Sequence, residues 1–341
     1  MAKQKLIGKT LKELQDICKE YNLPKFTAKQ ICEWIYKKQI TDINQMSNIS
    51  NKNKKILTTH FDIGYTKFKT VSKSSDGTKK YLFPTKTNHY IETAFIPDKN
   101  RNTLCVSSQA GCKMNCSFCS TGKQGFQSNL SSNEIINQII NFPESKILTN
   151  IVYMGMGEPM DNITEVLKSL EILTSDYGFA WSPKRITVST IGIIPEMIKF
   201  IESSKCHLAI SLHNPFDNER NKIMPIQKKY PISKVIETLK KYDFSHQRRV
   251  SFEYIMFKDL NDTDKHINKL AKLLNGLKCR INLIKFHEIP NCELKSSSML
   301  KINEFKNKLN SKGITTTIRA SRGQDIEAAC GLLSTKELLK N

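Results

Sequence analysis

"QAGCKMNCSFCSTGKQGF", residues 109–126, sets Cys112, Cys116 and Cys119 at a C-x3-C-x2-C spacing between an apolar, strand-like run and a polar turn containing glycine. Structural zinc takes four protein ligands, and no fourth Cys or His stands near this triplet, so a zinc reading needs a remote ligand. A 4Fe-4S cubane held by three thiolates leaves one iron open, and that position can accept the amine and carboxylate of a small molecule. Under this second reading three is the functional number.

Outward from the triplet, the chain from Thr103 onward repeats strand then helix. Strand-like runs are "TLCVSS", "NIVYMGM", "RITVST", "HLAISLH", "VSFEYIMF", "RINLIKFH" and "ITTTIRAS", with helical segments such as "NEIINQIINF", "ITEVLKSLEILT" and "KHINKLAKLL" between them. This alternation predicts an α/β fold with parallel strands and right-handed crossovers. Six or seven units fall short of eight, so a partial, open β/α barrel is expected, with its active groups at the carboxyl ends of the strands. Residues 66–100 alternate apolar and polar around an "SSDG" turn, which predicts a β-hairpin linker. Residues 1–65 read as short helices forming an accessory domain, leaving 101–341 for the barrel. In "TLKELQDICKEY" Leu11, Leu14, Cys18 and Tyr21 share a face, and "FTAKQICEWIYKK" opens with a Thr27/Gln30 capping-box pattern. Cys18 and Cys32 therefore fall on apolar faces as core thiols, and Phe26, Trp34 and Tyr36 among lysines offer a stacking surface or an ordinary amphipathic helix.

The composition bounds the setting. Fifty-three Lys+Arg against 32 Asp+Glu give a net charge of +21, which suits a polyanion-binding protein or a lysine-rich solvated surface. Ten irregularly spaced cysteines, no signal-peptide pattern and no run of about 20 apolar residues predict a soluble protein of a reducing cytoplasm, with no membrane partner. The remaining notable residues close successive strands. They are Gly155, Gly157 and Glu158 in "MGMGEP", Ser189 in "TVST", and Ser211 and His213 in "ISLH". Glycines allow close backbone approach, Glu158 offers an anion to an ammonium group, and together these groups would let a nucleoside lie across the barrel mouth.

The triplet with its downstream "GMGEP" resembles the radical SAM superfamily, whose 4Fe-4S cluster binds S-adenosylmethionine (SAM) and reductively cleaves it to a 5′-deoxyadenosyl radical. More narrowly, "TLCVSSQAGCKMNCSFCSTGKQGF", "YMGMGEP", "VSTIGIIP", "SLHNPFDNERNKIMPI", "RGQDIEAACG" and an N-terminal "LPKFTAKQICEWIY" resemble the RlmN/Cfr family of RNA methyltransferases. The resemblance spans nearly the whole chain. It implies methylation of carbon 2 of an adenine in the peptidyl-transferase region of 23S rRNA and of an adenine next to the anticodon of some tRNAs. Because that carbon is electron-poor, it cannot attack SAM directly, and a radical route is needed.

By the same resemblance, two SAM molecules serve each turnover. Cys112, Cys116 and Cys119 hold the cluster, and Cys330 is methylated and carries the methyl to adenine. Glu92 accepts the carbon-2 proton, and Cys105 resolves the covalent adduct through a transient disulfide with Cys330. SAM contacts transfer to Gly157, Glu158, Ser189, Ser211, Leu212, His213 and His287, the last standing where the family more often has asparagine. Implied partners are 23S rRNA, tRNA and an electron donor such as a flavodoxin system, acting on a monomer. Arg101, Lys113 and Lys123 are expected phosphate contacts. Cys206, Cys279 and Cys292 match no motif and read as structural. Rival readings are adenine carbon-8 methylation, a radical SAM enzyme of a protein or small molecule, and a zinc-binding RNA module.

Overall fold

A computed structural model describes residues 3–247, 249–329, 331–333 and 335. At the N-terminus, β1 (Gln4–Lys5) pairs in parallel with β2 (Phe61–Asp62) and brackets the helices Leu11–Glu20, Thr27–Cys32 and Asn51–His60. The first of these starts on a reciprocal capping box, with Thr10 N–H donating to Glu13 Oε2 at 2.7 Å and Glu13 N–H donating to Thr10 Oγ1 at 3.3 Å. The capping box expected at Thr27 and Gln30 does not form. The helix begins one residue earlier on Phe26, Thr27 is buried inside its first turn, and Gln30 Nε2 instead donates to Asn48 O at 2.9 Å. Cys18 and Cys32 are buried with Leu14, Ala28 and Ile31, as their helical faces predict.

A ten-stranded sheet forms the rest, in the order β14-β13-β12-β11-β10-β9-β6-β5-β4-β3. Strands β3 (Thr70–Lys73), β4 (Lys79–Pro84), β5 (Tyr90–Asp98) and β6 (Arg101–Cys105) are antiparallel neighbours. The hairpin region is thus hydrogen-bonded into the main sheet. A small hairpin of β7 (Gln109–Gly111) and β8 (Phe126–Asn129) carries the cysteine triplet on its connection. From β6 onward the main sheet is parallel through β9 (Asn150–Tyr153), β10 (Ile186–Thr190), β11 (His207–Ser211), β12 (Val250–Met256), β13 (Cys279–Lys285) and β14 (Thr315–Arg319). Seven parallel strands with intervening helices make the open barrel that the alternation predicts.

The strand period of two divides the residues. Ile151, Val188, Leu208, Phe252 and Leu283 are buried under the outer helices, while Thr187, His207, Ser251, Glu253, Arg280, Asn282 and Arg319 face the concave side. After β14 the chain crosses to the other edge of the sheet. There Arg322 pairs with Asp98 at 3.1 Å, Gly323 N–H donates to Asp76 Oδ2 at 2.8 Å, and Asp325 accepts from Ser74 Oγ at 2.6 Å and Ser75 N–H at 3.1 Å. The "SSDG" turn is therefore the dock for the C-terminal segment. The N-terminal unit is fixed to the barrel through Asn133, whose Nδ2 donates to Ile7 O at 3.1 Å and Gly64 O at 3.0 Å. Gly8, at φ +88°, sits so close that a Cβ there would lie 2.3 Å from Asn133 N.

Candidate active site

Cys112 leaves β7 with its N–H bonded to Gly125 O at 3.0 Å, and Cys119 N–H turns back to Cys116 O at 3.1 Å before the helix Ser120–Gln124. All three cysteines line one cleft of about 870 Å³ at the carboxyl ends of the barrel strands. Burial pushes the Cys112 thiol up to about 12 and raises Cys116 and Cys119 as well, so a bound cation is what would hold them as thiolates. Among the described residues no group of three or more His, Cys, Asp or Glu side chains is arranged around a single metal ion. A cubane takes one thiolate per iron and so separates its ligands, and an all-sulfur donor set suits iron, so these residues fit the cluster.

Gly157, Glu158, Ser189, Ser211 and His213 line the same cleft. Gly157 has φ +96°, and a Cβ there would lie 2.5 Å from Gln109 Cβ. Gln109 bridges the two halves of the site: its Oε1 accepts from Glu158 N–H at 2.9 Å, and its Nε2 donates to Asn129 Oδ1 at 2.8 Å and Asp161 Oδ2 at 2.6 Å. The buried Glu158 carboxylate accepts from Thr190 Oγ1 at 2.6 Å, Met160 N–H at 3.0 Å and Ile191 N–H at 3.1 Å. Burial nevertheless pushes its pKa up to about 7, which leaves a carboxylate that gains from an ammonium partner. His213, at φ +56°, accepts from Ile255 N–H through Nδ1 at 3.1 Å and packs edge-on to Phe118. Burial, then the nearby Arg220 charge, depresses it to about 3, so the ring is neutral with its proton on Nε2.

Two members of the expected SAM set stand apart. Leu212 is fully buried in the core between Ser211 and His213, its N–H donating to Glu253 O at 3.0 Å and its carbonyl accepting from Arg220 Nε at 3.0 Å. His287 borders an adjoining cavity of about 1990 Å³, with its Nε2 against Ser321 Oγ at 2.9 Å. The two cavities share Met154, Glu253, Ile284, Arg319 and Leu333. At this junction Asn282 Nδ2 donates to Glu253 Oε1 at 2.7 Å, and Arg319 lies 3.4 Å from Glu253 Oε2.

Cys105 ends β6 on the concave side, lines the second cavity and packs with Ala94, Val152 and Ala328. Cys330 lies outside the described residues, and its chain neighbour Ala329 lines the same cavity as Cys105. Glu92 is two residues before Ala94 on β5, hence on the same face, and Ala94 is paired with Cys105. Its buried carboxylate is 2.8 Å from Lys80 Nζ, and its carbonyl accepts from Ser107 Oγ at 2.6 Å.

Several surface expectations need correction. Tyr36 is buried, its hydroxyl donating to Lys9 O at 2.5 Å, because the helix continues through a π-helical turn that rotates it inward, so it offers no stacking face. Trp34 is half-buried, its Nε1 donating to Asn48 Oδ1 at 2.6 Å, and Phe26 is 63% exposed. Lys113 pairs with Asp161 at 3.0 Å and lies over Phe126, and Lys123 donates to the carbonyls of Pro290 and Asn291, so both are engaged within the protein. Arg101 is exposed at the opposite, amino end of the barrel strands, on the second cavity. Cys206 and Cys279 sit at strand starts, while Cys292 donates to Ser117 O inside the cysteine loop at 3.4 Å. Gln109, Lys80 and Arg220 escaped the sequence reading. Gln109 carried a signal as the polar residue heading the cysteine stretch, and Arg220 as the arginine within "SLHNPFDNERNKIMPI".

Residues 106–274 match the Radical SAM superfamily, and residues 4–63 match the ribosomal RNA large subunit methyltransferase N-terminal domain. A probable dual-specificity RNA methyltransferase RlmN of Parabacteroides distasonis is 55% identical, covering 98% of this chain and 97% of the relative. The dual-specificity RNA methyltransferase RlmN of Desulfotalea psychrophila is 39% identical over 96% of this chain and 94% of its own. The crystal structure of a radical SAM methyltransferase from Sphaerobacter thermophilus superposes with a TM-score of 0.89 at 36% identity, covering 97% of this chain and 99% of the other. Helical unit and open barrel thus match in one order over nearly the full length, and the chain belongs to the RlmN family of radical SAM RNA methyltransferases.

Proposed function

We propose that this enzyme methylates carbon 2 of an adenine in the peptidyl-transferase region of 23S rRNA and of an adenine beside the anticodon of some tRNAs, in the cytoplasm. Its cofactors are those of the superfamily, one 4Fe-4S cluster and SAM. Cys112, Cys116 and Cys119 would hold the cluster, which when bound would supply the electron for reductive cleavage of SAM and so the radical chemistry that an electron-poor carbon needs. Glu158 meets the SAM ammonium, and Gly157, Ser189, Ser211, His213 and the Leu212 backbone line its bed. His287 reaches it only from the rim toward the second cavity.

Cys330 first accepts a methyl group as a thioether and then delivers it to adenine carbon 2, joining enzyme and RNA. Glu92 takes the proton from that carbon. The Cys105 thiolate attacks the Cys330 sulfur and breaks its bond to the transferred carbon, whose electron pair stays with the adenine and takes up a proton to complete the methyl group, leaving a disulfide that an external dithiol reduces. The observation that supports this reading is that Cys105 and the segment leading to Cys330 line one cavity, with Glu92 two residues before Ala94, the strand partner of Cys105. A flavodoxin-type donor supplies the electron. The exposed Phe26 among N-terminal lysines supports residues 1–65 as an RNA-binding accessory domain. Residues 66–100, expected as a link, extend the catalytic sheet of 101–341 and carry Glu92, and the enzyme acts as a monomer.

The test is mass spectrometry of the Cys330 peptide from protein purified out of cells, beside a Cys105→Ala variant. One methyl group on Cys330, and RNA covalently attached there in the variant, is expected. Unmodified Cys330 with no RNA adduct in cluster-loaded, SAM-supplied protein refutes the two-thiol mechanism. Mapping the methyl on the released adenine distinguishes carbon 2 from carbon 8.

A further inference from the structure

Arg220 is a fully buried arginine that the reaction described above leaves without a role. It lies on the short helix Asp217–Ile223, whose last carbonyl, Ile223 O, accepts from Ser117 N–H at 3.0 Å. Ser117 directly follows Cys116, so the helix bearing Arg220 is tied to the cysteine loop. The guanidinium reaches across to the strand ends that line the cleft. Nη2 donates to Ser211 O at 2.9 Å and Ile191 O at 3.0 Å, Nε donates to Leu212 O at 3.0 Å, and Nη1 donates to Gln227 Oε1 at 2.7 Å.

All four acceptors are neutral, so these bonds satisfy the donors without cancelling the charge. Asp217 is one side chain further out, accepting from Gln227 Nε2 at 2.6 Å. Burial lowers the Arg220 pKa to about 10, which leaves it protonated near neutrality, and its charge is felt at both Cys116 and His213. A buried cation in a low-dielectric setting acts at longer range than one in water. A cluster with three thiolates gains one negative charge when it takes an electron, so a fixed cation beside it favours the reduced form.

We propose that Arg220 tunes the cluster: its buried guanidinium, hydrogen-bonded to neutral acceptors, raises the reduction potential of the group held by Cys112, Cys116 and Cys119, while its hydrogen bonds fix the ends of β10 and β11. Arg220 is thus a positioning and electrostatic residue, and no part of it needs to touch SAM or RNA. The inference rests on the cluster reading, which iron and sulfide analysis of the wild-type protein checks on its own.

The experiment is an EPR-monitored redox titration of full-length, anaerobically reconstituted protein with dithionite and mediator dyes, without SAM. Three variants are compared: Arg220→Lys, Arg220→Gln, and the paired exchange Asp217→Asn with Gln227→Glu. The exchange keeps the arginine and the net charge but moves a carboxylate into direct contact with the guanidinium. Arg220→Gln and the exchange are expected to lower the reduced-to-oxidised ratio at fixed potential by about tenfold, or about 59 mV for a one-electron couple, with Arg220→Lys near wild type. A wild-type midpoint in the exchange variant with its iron and sulfide intact overturns the proposal. So does a lysine variant that shifts as far as the glutamine variant while the exchange does not shift. If substitution of Arg220 prevents folding, the exchange variant decides alone.

Discussion

Replacing Gly157 with alanine tests the close approach between the glycine-rich turn and the cysteine hairpin. At φ +96° an L-residue pays about 1–2 kcal/mol for its backbone alone. The added methyl also lands 2.5 Å from Gln109 Cβ and 2.8 Å from Gln109 N, where the backbone of β7 has no freedom to retreat. Overpacking of this kind costs about 1–3 kcal/mol more, for a total of about 2–5 kcal/mol. Gly313→Ala is the matched control. Its φ is +79° with nothing within 4 Å of the new methyl, so only the backbone cost of about 1–2 kcal/mol remains. Urea unfolding of the metal-free protein reads both. Displacing Gln109 also removes the acceptor that holds the Glu158 N–H, so equilibrium dialysis of reconstituted Gly157→Ala should show SAM affinity lowered by at least about tenfold, or about 1.4 kcal/mol. If Gly157→Ala is no less stable than Gly313→Ala and binds SAM normally, the reasoning about this turn is wrong.

The neutral, buried His213 should make stability depend on pH. The unfolded chain binds a proton below about 6.5 while the folded ring resists it to about 3, so the contribution is complete above 6.5 and erodes as pH falls through that window. Wild-type metal-free protein should lose about 1.4 kcal/mol more per pH unit between pH 6 and 4 than His213→Gln, measured by urea unfolding; equal slopes would contradict the assignment. Lys80→Met leaves the Glu92 carboxylate buried without its ion-pair partner, at a cost of about 3–5 kcal/mol, whereas Lys80→Met with Glu92→Leu should recover most of that loss. A double variant as unstable as the single one would show that the pair is not coupled. Asp325→Ala removes the bonds to Ser74 and Ser75 and should speed tryptic cleavage after Arg322 several-fold, with melting of the barrel unchanged; unaltered cleavage would mean that the "SSDG" turn does not hold the C-terminal segment.

The sequence by itself determined the open β/α barrel and the identity of the cleft, because both are written in local pattern. Seven apolar runs of strand length alternate with helical repeats, and the three cysteines, the Gly157–Glu158 pair and the serines Ser189 and Ser211 each sit at the end of such a run. The carboxyl-end rule for parallel strands then brings them together without further information. Helix starts were less legible, since Thr27 and Gln30 have the chemistry of a capping box while packing of Ala28 and Ile31 into the core decides where that helix begins. Tyr36 is buried within the π-helical turn Glu33–Lys37 that extends that helix, an irregularity that no 3.6-residue period shows.

Only the tertiary structure decided which long-range pairs form. Lys80 meets Glu92 through the antiparallel register of β4 and β5, and Arg220, besides bonding Ser211 and Leu212 in its own stretch, reaches the Ile191 carbonyl 29 residues away. Lys113 and Lys123, expected as phosphate contacts, also meet Asp161 and backbone carbonyls 167 and 168 residues away, partners that no local pattern announces. Burial, charge pairing and electrostatics at the cluster depend on distances in space. A periodic sequence encodes which face a residue occupies, and the packed chain alone fixes what that face meets.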